Sequence, residues 1–135
     1  MKKNIIPVID KKYNNGIIYC IYSKSSNLIY IGSTIQGLNV RLRKHKTDMN
    51  GYFGLLNKER NYRSSFEVLL YDDYKIIELE KYKCNSKKEL ERREALWILK
   101  LSKDFNVVNK MMPSTIKMDD FDFVNTNLNI PEILV

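Results

Sequence analysis

Residues 17–32 constrain the fold more than any other stretch. Ile17-Ile18-Tyr19-Cys20-Ile21-Tyr22 and Leu28-Ile29-Tyr30-Ile31-Gly32 are short runs of β-branched and aromatic residues, separated by the polar break Ser23 to Asn27. Two such runs around a polar break predict a β-hairpin. Side chains alternate along a strand, so Tyr19 and Ile21 share one face, and Ile18, Cys20 and Tyr22 share the other. Tyr30 follows Tyr19 by eleven positions, a spacing that brings both phenols side by side on neighbouring strands. Paired tyrosines in a hairpin are most often packing, so the hairpin alone does not argue for chemistry.

A chain of 135 residues can bury a core without staples as one domain. Its formal charge of +7 is unevenly spread. Residues 1–110 carry 22 Lys and Arg against 12 Asp and Glu, whereas residues 111–135 carry Lys117 against Asp119, Asp120, Asp122 and Glu132. A basic body is drawn to phosphate backbones or anionic surfaces, although scattered lysines also serve as an ordinary solvated surface. Cys20 and Cys84 have no CxxC spacing, and no signal peptide is evident, so they read as reduced thiols of an intracellular protein. No apolar run approaches a membrane span.

Residues 1–15 read as an irregular lead-in, residues 16–113 as the compact domain, and residues 114–135 as an acidic tail, docked or partly disordered. Opposite charge suggests that the tail covers the basic body. After Gly32, Ser33 or Thr34 is placed to cap a helix from Gln36 to Met49, ended by Asn50-Gly51. Leu38, Leu42 and Met49 form its buried stripe, and Arg41 and His45, four apart, project from one edge of it. Tyr52 to Ser65 is basic and aromatic. Lys58, Arg60 and Arg63 there, with Lys44 on the preceding helix, are candidate nucleic-acid contacts.

Phe66 to Tyr71 and Lys75 to Tyr82 read as two more strands around an Asp72-Asp73 turn. Ser86-Lys87-Lys88-Glu89 is a capping box opening a helix to about Leu101. On that helix Leu90, Trp97, Ile98 and Leu101 share a face, and Glu94 falls among them. A carboxylate there requires a partner, either an arginine or a metal ion. Asn106 to Lys110 is a short extended segment suited to a sheet edge, where Asn109 bonds backbone groups or faces a site. Together these elements predict an α+β fold, a small mixed, mostly antiparallel sheet of three to five strands flanked by helices.

Tyr19, Tyr30-Ile31-Gly32, Arg41, His45, Glu94 and Asn109 occur in this order on a strand, a strand, a helix, a later helix and a closing segment. The chain thereby resembles the GIY-YIG nuclease family over roughly Gly16 to Asn109. Its first motif reads Ile17-Ile18-Tyr19, with Gly16 displaced by one position. Phe66 to Tyr82 and Cys84 to Leu90 look like the compact stand-alone members known from large DNA viruses and their mobile elements.

The resemblance implies a metal-dependent endonuclease that hydrolyses DNA through a single metal and a tyrosine. Glu94 would hold one Mg²⁺ or Mn²⁺, and Arg41 would face the phosphoryl oxygens. Tyr19 would take the water's proton, its pKa lowered by the metal, Arg41 and His45. Tyr30 would orient water or phosphate, His45 would relay the proton or hold Tyr19, and Asn109 would lend support. A homodimer or partner protein would supply specificity or a second cut. Two other classes are compatible with the residues: a catalytically inactive nucleic-acid-binding module of the same fold, and a structural protein in which Glu94 pairs internally with Arg41.

Overall fold

The computed structural model describes residues 11–54, 61–110 and 120–125 of the chain. The hairpin forms as its alternation predicts, with β1 (Ile17–Ser23) antiparallel to β2 (Leu28–Thr34). Asn27, at φ 61°, closes the turn in the left-handed region that Asn tolerates. Asp73 clamps the same turn by accepting from Ser23 Oγ at 2.5 Å and from the Ser25 backbone N–H at 2.8 Å. β3 (Lys75–Lys81) pairs antiparallel with the other edge of β1, and β4 (Asn106–Val107) runs parallel to β2. The result is a mixed four-stranded sheet in the order β3-β1-β2-β4.

The two faces of β1 build two cores. Ile18, Cys20 and Tyr22 pack with Ile29, Ile31 and the apolar face of α3 (Lys87–Ser102). Leu90, Trp97, Ile98 and Leu101 supply that face, as their spacing predicts. Tyr19 and Ile21 pack on the opposite side, under α1 (Leu38–Tyr52) and α2 (Phe66–Leu69). The capping box is present: Ser86 Oγ accepts from Glu89 N at 3.2 Å, and Glu89 Oε2 accepts from Asn85 N at 3.1 Å.

Several elements differ from the sequence reading. Phe66 to Tyr71 is not a strand, because the segment closes its backbone bonds locally, Leu69 N to Ser65 O and Leu70 N to Phe66 O, both at 3.1 Å. Both edges of β1 are already taken by β2 and β3, so no edge remains for it there. One helical turn buries Phe66, Val68 and Leu69 while leaving Leu70 61% exposed; a strand would place Leu70 on the face of Phe66 and Val68. α1 starts at Leu38 after Gly37, with no side-chain cap. Ser33 is engaged elsewhere, and Thr34 Oγ1 accepts from Gln36 N in a local turn. Gly51 lies inside α1, which runs on to Tyr52. Lys11–Asn15 is a 3₁₀ turn where an irregular lead-in was expected; residues 1–10 lie outside the described residues.

Gly16 occupies the position displaced from the expected motif, and close packing explains a glycine there. A Cβ at Gly16 would sit 2.4 Å from the Tyr82 carbonyl oxygen, while the Gly16 carbonyl accepts from Tyr82 N at 2.8 Å. Among the described residues of the tail, α4 (Phe121–Asn125) docks on α3. Asp120 forks Arg92 with two 2.8 Å bonds, and Phe123 meets Trp97 edge-on at 5.3 Å. Among the described residues no helix is long and apolar enough to cross a membrane.

Candidate active site

The site forms where the end of β2 meets α1 on one face of the sheet and α3 on the other. Tyr19 lies opposite Gly32 in the ladder, and Tyr30 opposite Ile21, so the two phenols are diagonal neighbours on one face. Tyr19 is fully buried, and its ring lies across Gly32: a Cβ on Gly32 would sit 2.4 Å from the Tyr19 hydroxyl and 2.5 Å from its Cζ. Only a residue without a side chain lets the phenol reach this far along the sheet.

α1 brings two groups to that hydroxyl. His45 Nε2 lies 2.6 Å from it, and Arg41 Nε donates to it at 3.3 Å. The Tyr30 ring stands edge-on to His45 at 5.3 Å. His45 was expected among the cations acting on Tyr19, but its surroundings disfavour the charged form. Burial first, then Arg41 and Arg63, push its pKa down to about 3. Tyr19 is held above the ordinary phenol range, by burial first and by Tyr30, with Arg41 acting in the opposite direction.

His45 Nδ1 faces Ser65 Oγ at 2.8 Å, and both residues are buried. Ser65 escaped the sequence reading because it lies twenty residues from His45, in a segment taken for loop and strand. No local signal marks it, because the segment has the composition of a strand and the Ser65 hydroxyl makes no cap bond.

On the opposite face, Ser33 Oγ donates to Glu94 Oε1 at 2.8 Å. The arginines beside Glu94 are committed elsewhere. Arg92 is forked by Asp120, and Arg93 is held by Glu80 at 2.6 and 2.8 Å, where Trp97 Nε1 also donates at 3.1 Å. Among the described residues, Glu94 has no ion pair, including none to Arg41. Burial therefore pushes its pKa up to about 7; the Ser33 hydrogen bond opposes this, Glu91 adds to it, and Arg41 opposes it. Glu94 also couples electrostatically to both Tyr19 and Tyr30, so the two faces of the site act on one another.

Asn109 grips the edge of β2 beyond β4. Its Oδ1 accepts from Ile31 N at 2.9 Å and its Nδ2 donates to Ile31 O at 2.7 Å, fixing the residue between Tyr30 and Gly32. Arg41 lines two open hollows. One, of about 240 Å³, includes Ser33, Gln36 and Glu91. The other, of about 550 Å³, includes Arg43, Lys44, Asp48 and Arg63. Of the four candidate DNA contacts, Lys44 donates to Gln36 at 2.5 Å and Arg63 pairs with Asp48 at 3.0 Å, whereas Lys58 and Arg60 lie outside the described residues.

Among the described residues, no three His, Cys, Asp or Glu side chains gather around one point to hold a metal. A cation that keeps most of its water needs only one or two carboxylates. Glu94 fits that demand: it is an oxygen ligand, half-buried, and in no ion pair among the described residues. A family model described as the GIY-YIG catalytic domain matches residues 15–109. No curated protein and no solved structure matches the chain.

Proposed function

This chain belongs to the GIY-YIG family of nucleases, generally dependent on divalent metals, and we propose that it is an endonuclease hydrolysing DNA phosphodiester bonds with Mg²⁺ or Mn²⁺ at Glu94. The observation that carries this reading is the convergence of Arg41 and His45 on the Tyr19 hydroxyl, with Glu94, held by Ser33 and in no ion pair among the described residues, close enough to act on Tyr19 electrostatically.

When bound, the ion supplies Lewis-acid polarisation of the phosphate and relief of charge on the leaving oxygen. The chain's own residues do the rest. Ser33 holds one Glu94 oxygen and leaves the other for a ligand. Arg41, which lines both hollows, presents its remaining N–H groups to the non-bridging phosphoryl oxygens. In the tautomer this reading requires, Ser65 donates to His45 Nδ1, and neutral His45 carries its proton on Nε2 and donates it to the Tyr19 oxygen. With Arg41 Nε, two donors then favour the ionised phenol and oppose the effect of burial.

Burial keeps the resting phenol protonated; once its proton has passed to solvent, Tyr19 accepts one proton from the attacking water as the oxygen–phosphorus bond forms, and the leaving oxygen takes a proton from solvent as its bond to phosphorus breaks. The phenol is fully buried, so the attacking water must enter beside it while Arg41 Nε keeps its bond to the phenol oxygen. Tyr30 and Asn109 fix the strand on which this happens.

Supercoiled plasmid tests the reading. Nicking is expected with Mg²⁺ and lost in EDTA. Ser65→Ala is expected to lower kcat by about tenfold to a hundredfold with KM little changed, and Ser65→Thr to restore part of it. DNA binding without nicking would select the inactive module, and wild-type turnover in Ser65→Ala would remove Ser65 from the mechanism.

A further inference from the structure

We propose that the C-terminal end of α1, together with Tyr62, forms a stacking platform for unpaired bases, so that the preferred substrate is DNA with a single-stranded segment beside the cut. This rests on the DNA reading above. Tyr52, Phe53 and Tyr62 are 42%, 50% and 45% exposed, although all three are large and aromatic. Their rings form one cluster: Tyr52 stands 5.2 Å from Phe53 and 5.5 Å from Tyr62, and both tyrosines stand 5.6 Å from buried Phe66. Buried Phe66 packs against all three, lying 6.4 Å from Phe53 as well.

The cluster adjoins the larger hollow beside Arg41. That trough carries Arg41, Arg43, Lys44 and Arg63 against Asp48. Lys44, Asp48 and Tyr52 follow one another at four-residue steps and so lie along one face of α1. Arg63, next in sequence to Tyr62, is tied to Asp48 at 3.0 Å. The cations therefore run from the catalytic arginine to the rings, over about 16 Å of helix.

An aromatic cluster alone would suit many apolar partners, but rings in line with a cationic groove suit a polyanion whose bases can stack. Paired bases in a duplex are already stacked and keep their faces from the rings. Unpaired ones do not.

Binding in EDTA separates this inference from catalysis. A labelled 20-base-pair duplex is compared with the same duplex carrying a single-stranded overhang, by fluorescence anisotropy. The wild type is expected to bind the overhang form about tenfold tighter, and Phe53→Ala/Tyr62→Ala to lose that margin while its duplex affinity changes less than about twofold. Both side chains are exposed, and circular dichroism checks that the variant is folded. Equal wild-type affinity for the two DNAs, or an equal loss on both in the variant, would overturn the platform. Absence of nicking in Mg²⁺ would count against the nuclease reading and leave this binding comparison standing.

Discussion

Glu94→Gln is expected to yield a protein more stable than the wild type at pH 8 and without nuclease activity. Burial raises the Glu94 pKa from 4.5 to about 7, so the folded state binds this proton more tightly than the unfolded state does. A carboxyl shifted in that direction costs no stability below its unfolded pKa. The cost grows as pH rises from there and is complete above the folded pKa. The amide removes a charge worth about 1–3 kcal/mol of destabilisation at pH 8, after allowance for partial exposure, and almost nothing at pH 4.

Mg²⁺ or Mn²⁺ should raise the wild-type melting temperature at pH 8, because an ion that binds only the folded form stabilises it, and should leave Glu94→Gln unmoved. The activity lost should be on the order of a thousandfold. Thermal melts at the two pH values, with and without the ion, check the first part, and plasmid nicking checks the second. A variant that melts lower than the wild type at pH 8, or that still nicks, would mean that the carboxylate is structural.

Gly32→Ala is expected to cost activity far more than stability. The added methyl would stand 2.4 Å from the Tyr19 hydroxyl and 2.5 Å from Cζ, distances that force the ring to move. The ring cannot move and keep both His45 at 2.6 Å and Arg41 at 3.3 Å. Overpacking of this kind costs about 1–3 kcal/mol, which the rest of the sheet can absorb. A displacement of about 1 Å at a reacting group costs about a hundredfold in rate. Steady-state kinetics on a folded variant should therefore show kcat reduced by that order or more. Near wild-type kcat would show that Tyr19 has no part in the chemistry.

Much of this arrangement was legible in the sequence where one local rule sufficed. Alternation in residues 17–22 assigned Tyr19 and Ile21 to one core and Ile18, Cys20 and Tyr22 to the other. The Ser86 box placed the start of α3, and the wheel of Leu90, Trp97, Ile98 and Leu101 placed its buried face.

What failed depended on distant partners. Phe66 to Leu69 has the composition of a strand, but β1 has no free edge, so the segment turns and carries Ser65 beneath His45. Ser33 has the composition of a cap, yet its hydroxyl serves Glu94, sixty-one residues away. That Glu94 has no ion pair among the described residues could not be read locally either, because Arg92 and Arg93 are its sequence neighbours. Only the fold shows that Asp120 and Glu80 have taken them. The charge of His45 was misread because burial, invisible in sequence, decides it.

Anomalous diffraction from crystals grown with Mn²⁺ tests the central claim most directly. A peak about 2 Å from a Glu94 carboxylate oxygen is the result expected of a site in which one carboxylate holds the ion. Manganese bound elsewhere in the crystal while Glu94 remains without it, or the Glu94 carboxylate turned to pair with Arg41, would contradict the account.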